Sequence, residues 1–332
     1  LTDVMKVLIT GATGFLGSKT VEQIVKLPEV THVIATGRTM RESRRVDSTK
    51  VEYKLGDLAS REFVNSIVKE VDVVVNTAAL SSPWGTEEQY RTANLLTQKN
   101  LIEASEKHGI KRFVFVSTPG LYHNGDDRFL VKESEPLPEK FANQYAATKR
   151  EAEILLEKSG LSFVTIRPRA IIGAGDTTIM PRLIKADEEG KLKIVGDGEN
   201  QLDLTSVENV AYAIILGIKA NKEALGRAYN ITNGEPLKLW WAINTVLVGL
   251  GRKKVEKKVG YRLAYLGGGL MELVSRLITK KEPPITRFSI DVLAKNFTLD
   301  ISDARRLLNY TPKKTTQESI DQFVKWYSEQ KG

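Results

Sequence analysis

Lys6-Val7-Leu8-Ile9-Thr10-Gly11-Ala12-Thr13-Gly14-Phe15-Leu16-Gly17 sets a short apolar run directly before three glycines, and the helical pattern that follows puts Val21, Ile24 and Val25 on one face. Strand, tight turn and helix start, in that order, make an anion site. The glycines let the backbone come close to a pyrophosphate, whose charge is stabilised by free N–H groups and the positive end of the helix. Glycine triplets alone usually mark turns, so the position between a strand and a helix carries the reading. It predicts a dinucleotide loop in which Gly11, Thr13, Gly14, Phe15, Leu16 and Gly17 line the cofactor.

Downstream, short β-branched runs alternate with longer helical patterns, the signature of parallel βαβ units. Strands are predicted at Lys6–Thr10, His32–Thr36, Val51–Lys54, Val71–Asn76, Arg112–Ser117 and Ser162–Arg167, with a seventh at Ala228–Thr232. Helices are predicted over Leu16–Leu27, Glu62–Lys69, Glu87–His108 and Gln144–Ser159. After Pro168 the regularity loosens, with Gly173, Gly175, Gly190, Gly196 and Gly198 marking loops. The expected fold is α/β, a Rossmann-type doubly wound parallel sheet over residues 1–170, to which about 203–235 returns, with a smaller C-terminal substrate lobe over 171–332.

The 332 residues, 41% hydrophobic and 27% charged, have ordinary globular composition. The absence of cysteine excludes disulfides, thiol nucleophiles and cysteine metal sites. His32, His108 and His123 lack metal-ligand spacing, so no metal is expected; they read as a strand edge, a helix end and a loop. The net charge of +8 is spread over short groups such as Lys253-Lys254 and Lys280-Lys281 without interleaved aromatics, which speaks against nucleic acid. The opening residues show no basic segment followed by a long apolar one. The longest uncharged stretches, Leu239–Gly251 and Leu263–Met271, fall short of the roughly 20 residues of a spanning helix. A cytoplasmic protein with no transmembrane segment is expected.

Tyr145 and Lys149 stand four residues apart, on one face of the predicted helix. A free tyrosine has a pKa near 10, and bringing it to about 7 takes roughly 4 kcal/mol of preferential phenolate stabilisation, which a neighbouring ammonium can largely supply. Such a phenol exchanges a proton as hydride arrives or leaves. Tyr310 with Lys314 and Tyr327 with Lys331 share the spacing, but Pro312 interrupts the first and the second falls at a C-terminus expected to fray. Ser117 and Thr118 close the fifth strand at the carboxyl edge, where open α/β sheets bind ligands; Ser117 reads as a cap. At the end of strand two, where an acid would hold an NAD ribose, stands Gly37, followed by Arg38, Arg41, Arg44 and Arg45. A guanidinium beside that position suits a 2′-phosphate, so NADP(H) is preferred through Arg38, with NAD(H) open if these arginines form a solvated loop.

The Gly-x-x-Gly-x-x-Gly spacing resembles that of short-chain dehydrogenases/reductases. The resemblance implies an adenine contact at Asp57 and Leu58 of Gly56-Asp57-Leu58, and a cofactor contact through Thr77, Ala78 and Ala79 of Asn76-Thr77-Ala78-Ala79. Ser117-Thr118-Pro119-Gly120-Leu121-Tyr122 is similar to the run of the extended group whose catalytic hydroxyl corresponds to Thr118. Arg167-Pro168-Arg169-Ala170-Ile171-Ile172-Gly173-Ala174-Gly175-Asp176 resembles a run whose proline, here Pro168, flanks the nicotinamide. The catalytic set so implied is Thr118, Tyr145 and Lys149.

Within the extended group, sugar-nucleotide epimerases and dehydratases carry an arginine where Leu202 stands, and an apolar residue cannot hold a diphosphate. Gly196-Asp197-Gly198-Glu199-Asn200-Gln201-Leu202-Asp203 is similar instead to the 3β-hydroxysteroid dehydrogenase-like branch, as are Ala78–Gly85 and Asp303–Pro312. That resemblance implies an apolar ketone or secondary alcohol substrate, steroid-like or β-keto acyl, with contacts at Ser81, Trp84, Thr118, Arg169 and Met180. Leu96 departs from the family's glycine and is expected to touch packing near the cofactor. Trp240, Trp241, Leu263, Tyr265, Leu266, Leu270 and Met271 supply the apolar surface such a pocket requires, and Gly267–Gly269 weaken their segment as a rigid helix, as a lid or a membrane or partner contact would allow. A monomer and a homodimer are both compatible. The alternatives are a nucleotide-sugar epimerase or dehydratase and a non-catalytic NADP-binding redox sensor.

Overall fold

In strand β1 (Met5–Thr10), Val7 and Ile9 turn to one face of a sheet and Leu8 to the other, and all three are fully buried. A strand covered on both faces must be apolar throughout, which is why the run shows no polar alternation. The structure is a computed structural model that describes residues 4–82 and 84–331; Leu1–Asp3, Pro83 and Gly332 lie outside the described residues.

Among the described residues, seven parallel strands form the main sheet: β1, β2 (Val30–Thr36), β3 (Val51–Tyr53), β4 (Val73–Asn76), β5 (Arg112–Val116), β7 (Phe163–Pro168) and β9 (Arg227–Ile231). Between β5 and β7 lies the short β6 (Arg128–Val131), and β8 (Gln201–Leu202) precedes β9. The order β9-β7-β5-β4-β1-β2-β3 reverses direction between β1 and β4, which opens a crevice above their carboxyl ends. Helices α1 (Phe15–Ile24) and α7 (Val207–Ile218) cover one face through Val21, Ile24, Val210 and Ile214. The other face is covered by α2 (Arg61–Val68), α4 (Thr97–His108) and α5 (Gln144–Glu157) through Val64, Leu101 and Ala152. The fold is thus Rossmann-type and doubly wound.

The helix expected over Glu87–His108 is broken: α3 (Glu87–Tyr90) passes into a π-helical segment, Arg91–Leu96, before α4. Buried Asn94 sits in that widened turn and bonds the Leu80 backbone at both N (2.8 Å) and O (3.3 Å). Leu96, expected near the cofactor packing, is exposed.

The C-terminal region packs α6 (Met180–Glu188), α8 (Leu239–Gly249), α10 (Arg287–Ala294) and α12 (Thr316–Lys331) around a separate apolar core. Helix α9 (Tyr261–Val274) lies against α10, and α11 (Ser302–Leu308) against the main sheet's core. A four-stranded sheet, β10-β8-β11-β6, joins β10 (Leu237–Lys238), β11 (Phe297–Leu299) and the two earlier strands. Two local expectations fail. Gly267–Gly269 do not interrupt α9; Gly268 lets α10 approach so closely that a Cβ there would sit 3.3 Å from the Arg287 backbone nitrogen. The C-terminus does not fray before Tyr327, because α12 runs on to Lys331 with Tyr327 stacked on Phe323 at 5.5 Å. No described helix is long and apolar enough to cross a membrane.

Candidate active site

At the crevice, the ends of β1 and β4 are bound together. The Thr10 hydroxyl donates to Asn76 Oδ1 and the Thr77 hydroxyl to the Thr10 carbonyl, each at 2.6 Å, while Asn76 Nδ2 donates to Gln98 at 2.6 Å. Above this pair the glycine loop folds on itself. Gly11 has φ +66°, and the Gly14 N–H donates to its carbonyl at 2.8 Å. A Cβ on Gly17 would lie 2.0 Å from the Gly11 oxygen, and one on Gly11 would lie 2.9 Å from the Ala78 backbone. Only glycines permit this close turn, which leaves the first N–H groups of α1 free for an anion, so these residues fit a dinucleotide pyrophosphate. Thr13, Phe15 and Leu16 are partly exposed around the loop.

Gly37 also answers to a close approach: a Cβ there would sit 2.3 Å from the Thr13 hydroxyl, so a side chain at this place would have to displace Thr13. Arg38 is exposed, and among the described residues no hydrogen bond or ion pair engages its side chain. Arg44 instead donates to the Gly175 carbonyl at 2.9 Å, and Arg45 lies 5.2 Å from the centre of the Tyr53 ring. The arginine cluster is therefore divided, with Arg38 still available. Asp57 is exposed and accepts from the Ala59 N–H at 2.9 Å, whereas Leu58 is buried.

Beside β5, the Thr118 hydroxyl neighbours the Tyr145 phenol and favours its ionised form, and it also accepts from the Gly120 N–H at 3.1 Å. The phenol does not have the lowered pKa expected from the spacing. Burial pushes it up to about 12, with Thr118 opposing and Tyr90 reinforcing the shift. The reason is the orientation of Lys149. Its ammonium donates to the Val116 carbonyl at 2.5 Å and stands 4.0 Å from the centre of the Phe115 ring. Burial pulls this lysine down to about 7, against Glu153.

Glu153 lies one turn beyond Lys149 and meets Arg167 in a buried ion pair at 2.6 Å and 2.9 Å. Burial raises the Glu153 carboxyl, but the hydrogen bonds and charge of Arg167 overcome it and hold the group below its ordinary range. Arg167 also donates to the Tyr122 hydroxyl at 2.5 Å. Residue types alone did not single out this network; the one signal was the i, i+4, i+8 stripe Tyr145, Lys149, Glu153. Asn94 was likewise missed as a positioning residue: besides Leu80 it reaches the Thr148 hydroxyl at 3.2 Å, tying the loop before Ser81 to α5.

The residues expected to meet substrate divide. Pro168 closes β7, and Arg169 follows it with its guanidinium 4.5 Å from the centre of the Phe297 ring. Ser81 is exposed and Trp84 half-buried, in a loop whose Ser82 carbonyl accepts from the Tyr90 hydroxyl at 2.5 Å. Met180 is not available: it opens α6 with its side chain buried in the C-terminal core. Trp240 belongs to that same core and donates to the Leu293 carbonyl at 3.1 Å. Leu263, Leu266, Leu270 and Met271 face solvent along α9, because the face they share is the one α10 does not cover, and Leu266 and Leu270 line an open groove there. Tyr310 is buried, donating to the Thr232 carbonyl at 2.9 Å.

The family model described as the NAD dependent epimerase/dehydratase family matches residues 7–232. The 2-alkyl-3-oxoalkanoate reductase of Stenotrophomonas maltophilia is 34% identical over 325 residues, 95% of this chain and 97% of the relative. The 3β-hydroxysteroid-dehydrogenase/decarboxylase isoform 1 of Arabidopsis thaliana is 32% identical, over 97% of this chain and 79% of the relative. The crystal structure of the Bordetella bronchiseptica enzyme WbmH in complex with NAD+ has the same fold, with a TM-score of 0.77 at 21% identity over 98% of this chain and 99% of that one. The chain belongs to the NAD-dependent epimerase/dehydratase family, as an enzyme of the extended short-chain dehydrogenase/reductase type.

Proposed function

We propose that this enzyme reduces an apolar ketone to its secondary alcohol, or runs the reverse reaction, with NADP(H) preferred over NAD(H). The observation that carries the reading is the juxtaposition of the Thr118 hydroxyl, at the carboxyl edge of the sheet, with Tyr145 on the helix that holds Lys149. The two named relatives support it, since one is a reductase of 2-alkyl-3-oxoalkanoates and the other a 3β-hydroxysteroid dehydrogenase.

The glycine loop holds the pyrophosphate, Arg38 the 2′-phosphate, and Ala78, Ala79, Asp57 and Pro168 border the rest of the dinucleotide. The bound nicotinamide supplies or accepts the hydride. Thr118 orients the substrate oxygen by a hydrogen bond, and Tyr145 gives that oxygen a proton as the carbonyl carbon gains hydride; solvent then restores the phenol. With its pKa near 12 the phenol is fully protonated at neutral pH, the form reduction needs. For oxidation it must lose the proton, which requires Lys149 to turn from Val116 and place its ammonium beside the phenol.

Nucleotide-sugar chemistry finds no support at Leu202, whose buried side chain offers no cation for a diphosphate. The test is NADPH and NADH consumption with 3-oxo acids, steroid ketones and a UDP-sugar control. Consumption with a ketone, faster with NADPH, is expected. Interconversion of the UDP-sugar without net cofactor use would overturn the proposal.

A further inference from the structure

Helix α9 and the π-helical segment that continues it, Ser275–Thr279, turn a long apolar stripe to solvent. Leu263, Leu266, Leu270, Leu273, Leu277 and Ile278 are each more than half exposed. From Leu263 to Leu277 a spacing of three or four residues gathers them on one side, with Ile278 beside the last, while Gly268, Glu272 and Ser275 on the opposite side are buried against the molecule. Apolar patches of this extent are uncommon on a surface that stays in water.

The charges around the stripe say what covers it. Arg262, Arg276, Lys280 and Lys281 border it, all exposed, and among the described residues no carboxylate pairs with any of them. The single acid within residues 261–281, Glu272, faces inward and accepts from the Arg287 backbone N–H at 2.7 Å and from its Nε at 3.0 Å. A second copy of the chain laid on this stripe would bring cations against cations, since Glu282, the acid that follows Lys281, is already paired with Arg182 at 3.0 Å. An anionic lipid surface meets both features together, taking the leucines into its acyl boundary and the cations at its headgroups. The 19 residues from Tyr261 to Thr279 span about 28 Å of helix lying along such a surface. Beside them a groove of about 450 Å³, lined by Tyr265, Leu266, Leu270, Leu273, Arg276 and the Glu272–Arg287 ion pair, runs along the same face and leaves room for an acyl chain.

We infer that this stripe, from Leu263 to Lys281, docks the enzyme in the plane of an anionic membrane surface. The test is co-sedimentation of the full chain with vesicles of phosphatidylcholine alone and of phosphatidylcholine mixed with phosphatidylserine. Binding to the mixed vesicles that weakens with added salt is the expected result. Leu266→Ser/Leu270→Ser/Leu277→Ser should abolish it, and Arg276→Gln/Lys280→Gln/Lys281→Gln should weaken it about a hundredfold. Both variants should keep the wild-type melting temperature and turnover of a water-soluble substrate, which shows that the fold is intact. Failure of the wild type to bind mixed vesicles, or equal binding by all three proteins, would overturn the inference. A self-association that only the leucine variant loses would overturn it in favour of a second copy.

Discussion

Replacing Lys149 by Met should stabilise the cofactor-free protein while it destroys turnover. Lys149 is 1% exposed, and its Nζ has the Val116 carbonyl and the face of Phe115 for company instead of a carboxylate. Burial lowers its pKa to about 7, whereas the unfolded chain keeps the ordinary 10.5. Between those pH values the unfolded chain holds a proton that the folded one lacks, so stability rises with pH from about 7 to about 10.5, and below about 7 the full penalty applies. At about 1.4 kcal/mol per tenfold, the penalty at neutral pH is on the order of 5 kcal/mol. Methionine keeps most of the stem and removes the charge, but it leaves the Val116 carbonyl without its donor, at a cost of about 1–3 kcal/mol. The net gain is roughly 2–4 kcal/mol. With an unfolding entropy of about 2.1 cal/mol/K per residue, that raises the melting temperature by about 3–6 °C. Calorimetry of both proteins from pH 7 to pH 10 checks this, and the advantage of the variant should be gone by pH 10. A variant that melts below the wild type at pH 7, or a difference that does not change with pH, would refute the reasoning.

Gly17→Ala places a methyl against the Gly11 carbonyl, where only 2.0 Å is available, so dinucleotide affinity should fall at least tenfold by fluorescence titration. Glu153→Ala leaves the Arg167 guanidinium buried without its carboxylate; chemical denaturation should show a loss of about 3–5 kcal/mol. Arg38→Ala should raise the KM for NADPH about tenfold and leave that for NADH nearly unchanged, a split that a purely structural role would not produce.

The parallel sheet was legible because buried strands carry continuous apolar runs such as Val73-Val74-Val75, and because the glycine loop sits at a strand-to-helix junction. The second sheet was not. Gln201–Leu202 and Phe297–Leu299 are too short to show a period, and they pair across some 95 residues of chain. Gly267–Gly269 read as a weakness on propensity, yet Gly268 serves a helix–helix approach that only tertiary structure supplies. Composition identified Leu266 and Leu270 as a large apolar surface but could not say that it faces outward. The ionisation of Tyr145 was also hidden, because it depends on which way the Lys149 stem turns, a choice made by Val116 on a strand some thirty residues away.

The most direct test of the central claim is Tyr145→Phe, which deletes one oxygen and keeps the ring. Substrate-dependent NADPH oxidation by this variant, measured alongside its NADPH affinity, is expected to fall at least a hundredfold while cofactor binding stays at the wild-type level. Wild-type turnover by the variant would contradict proton transfer through that phenol.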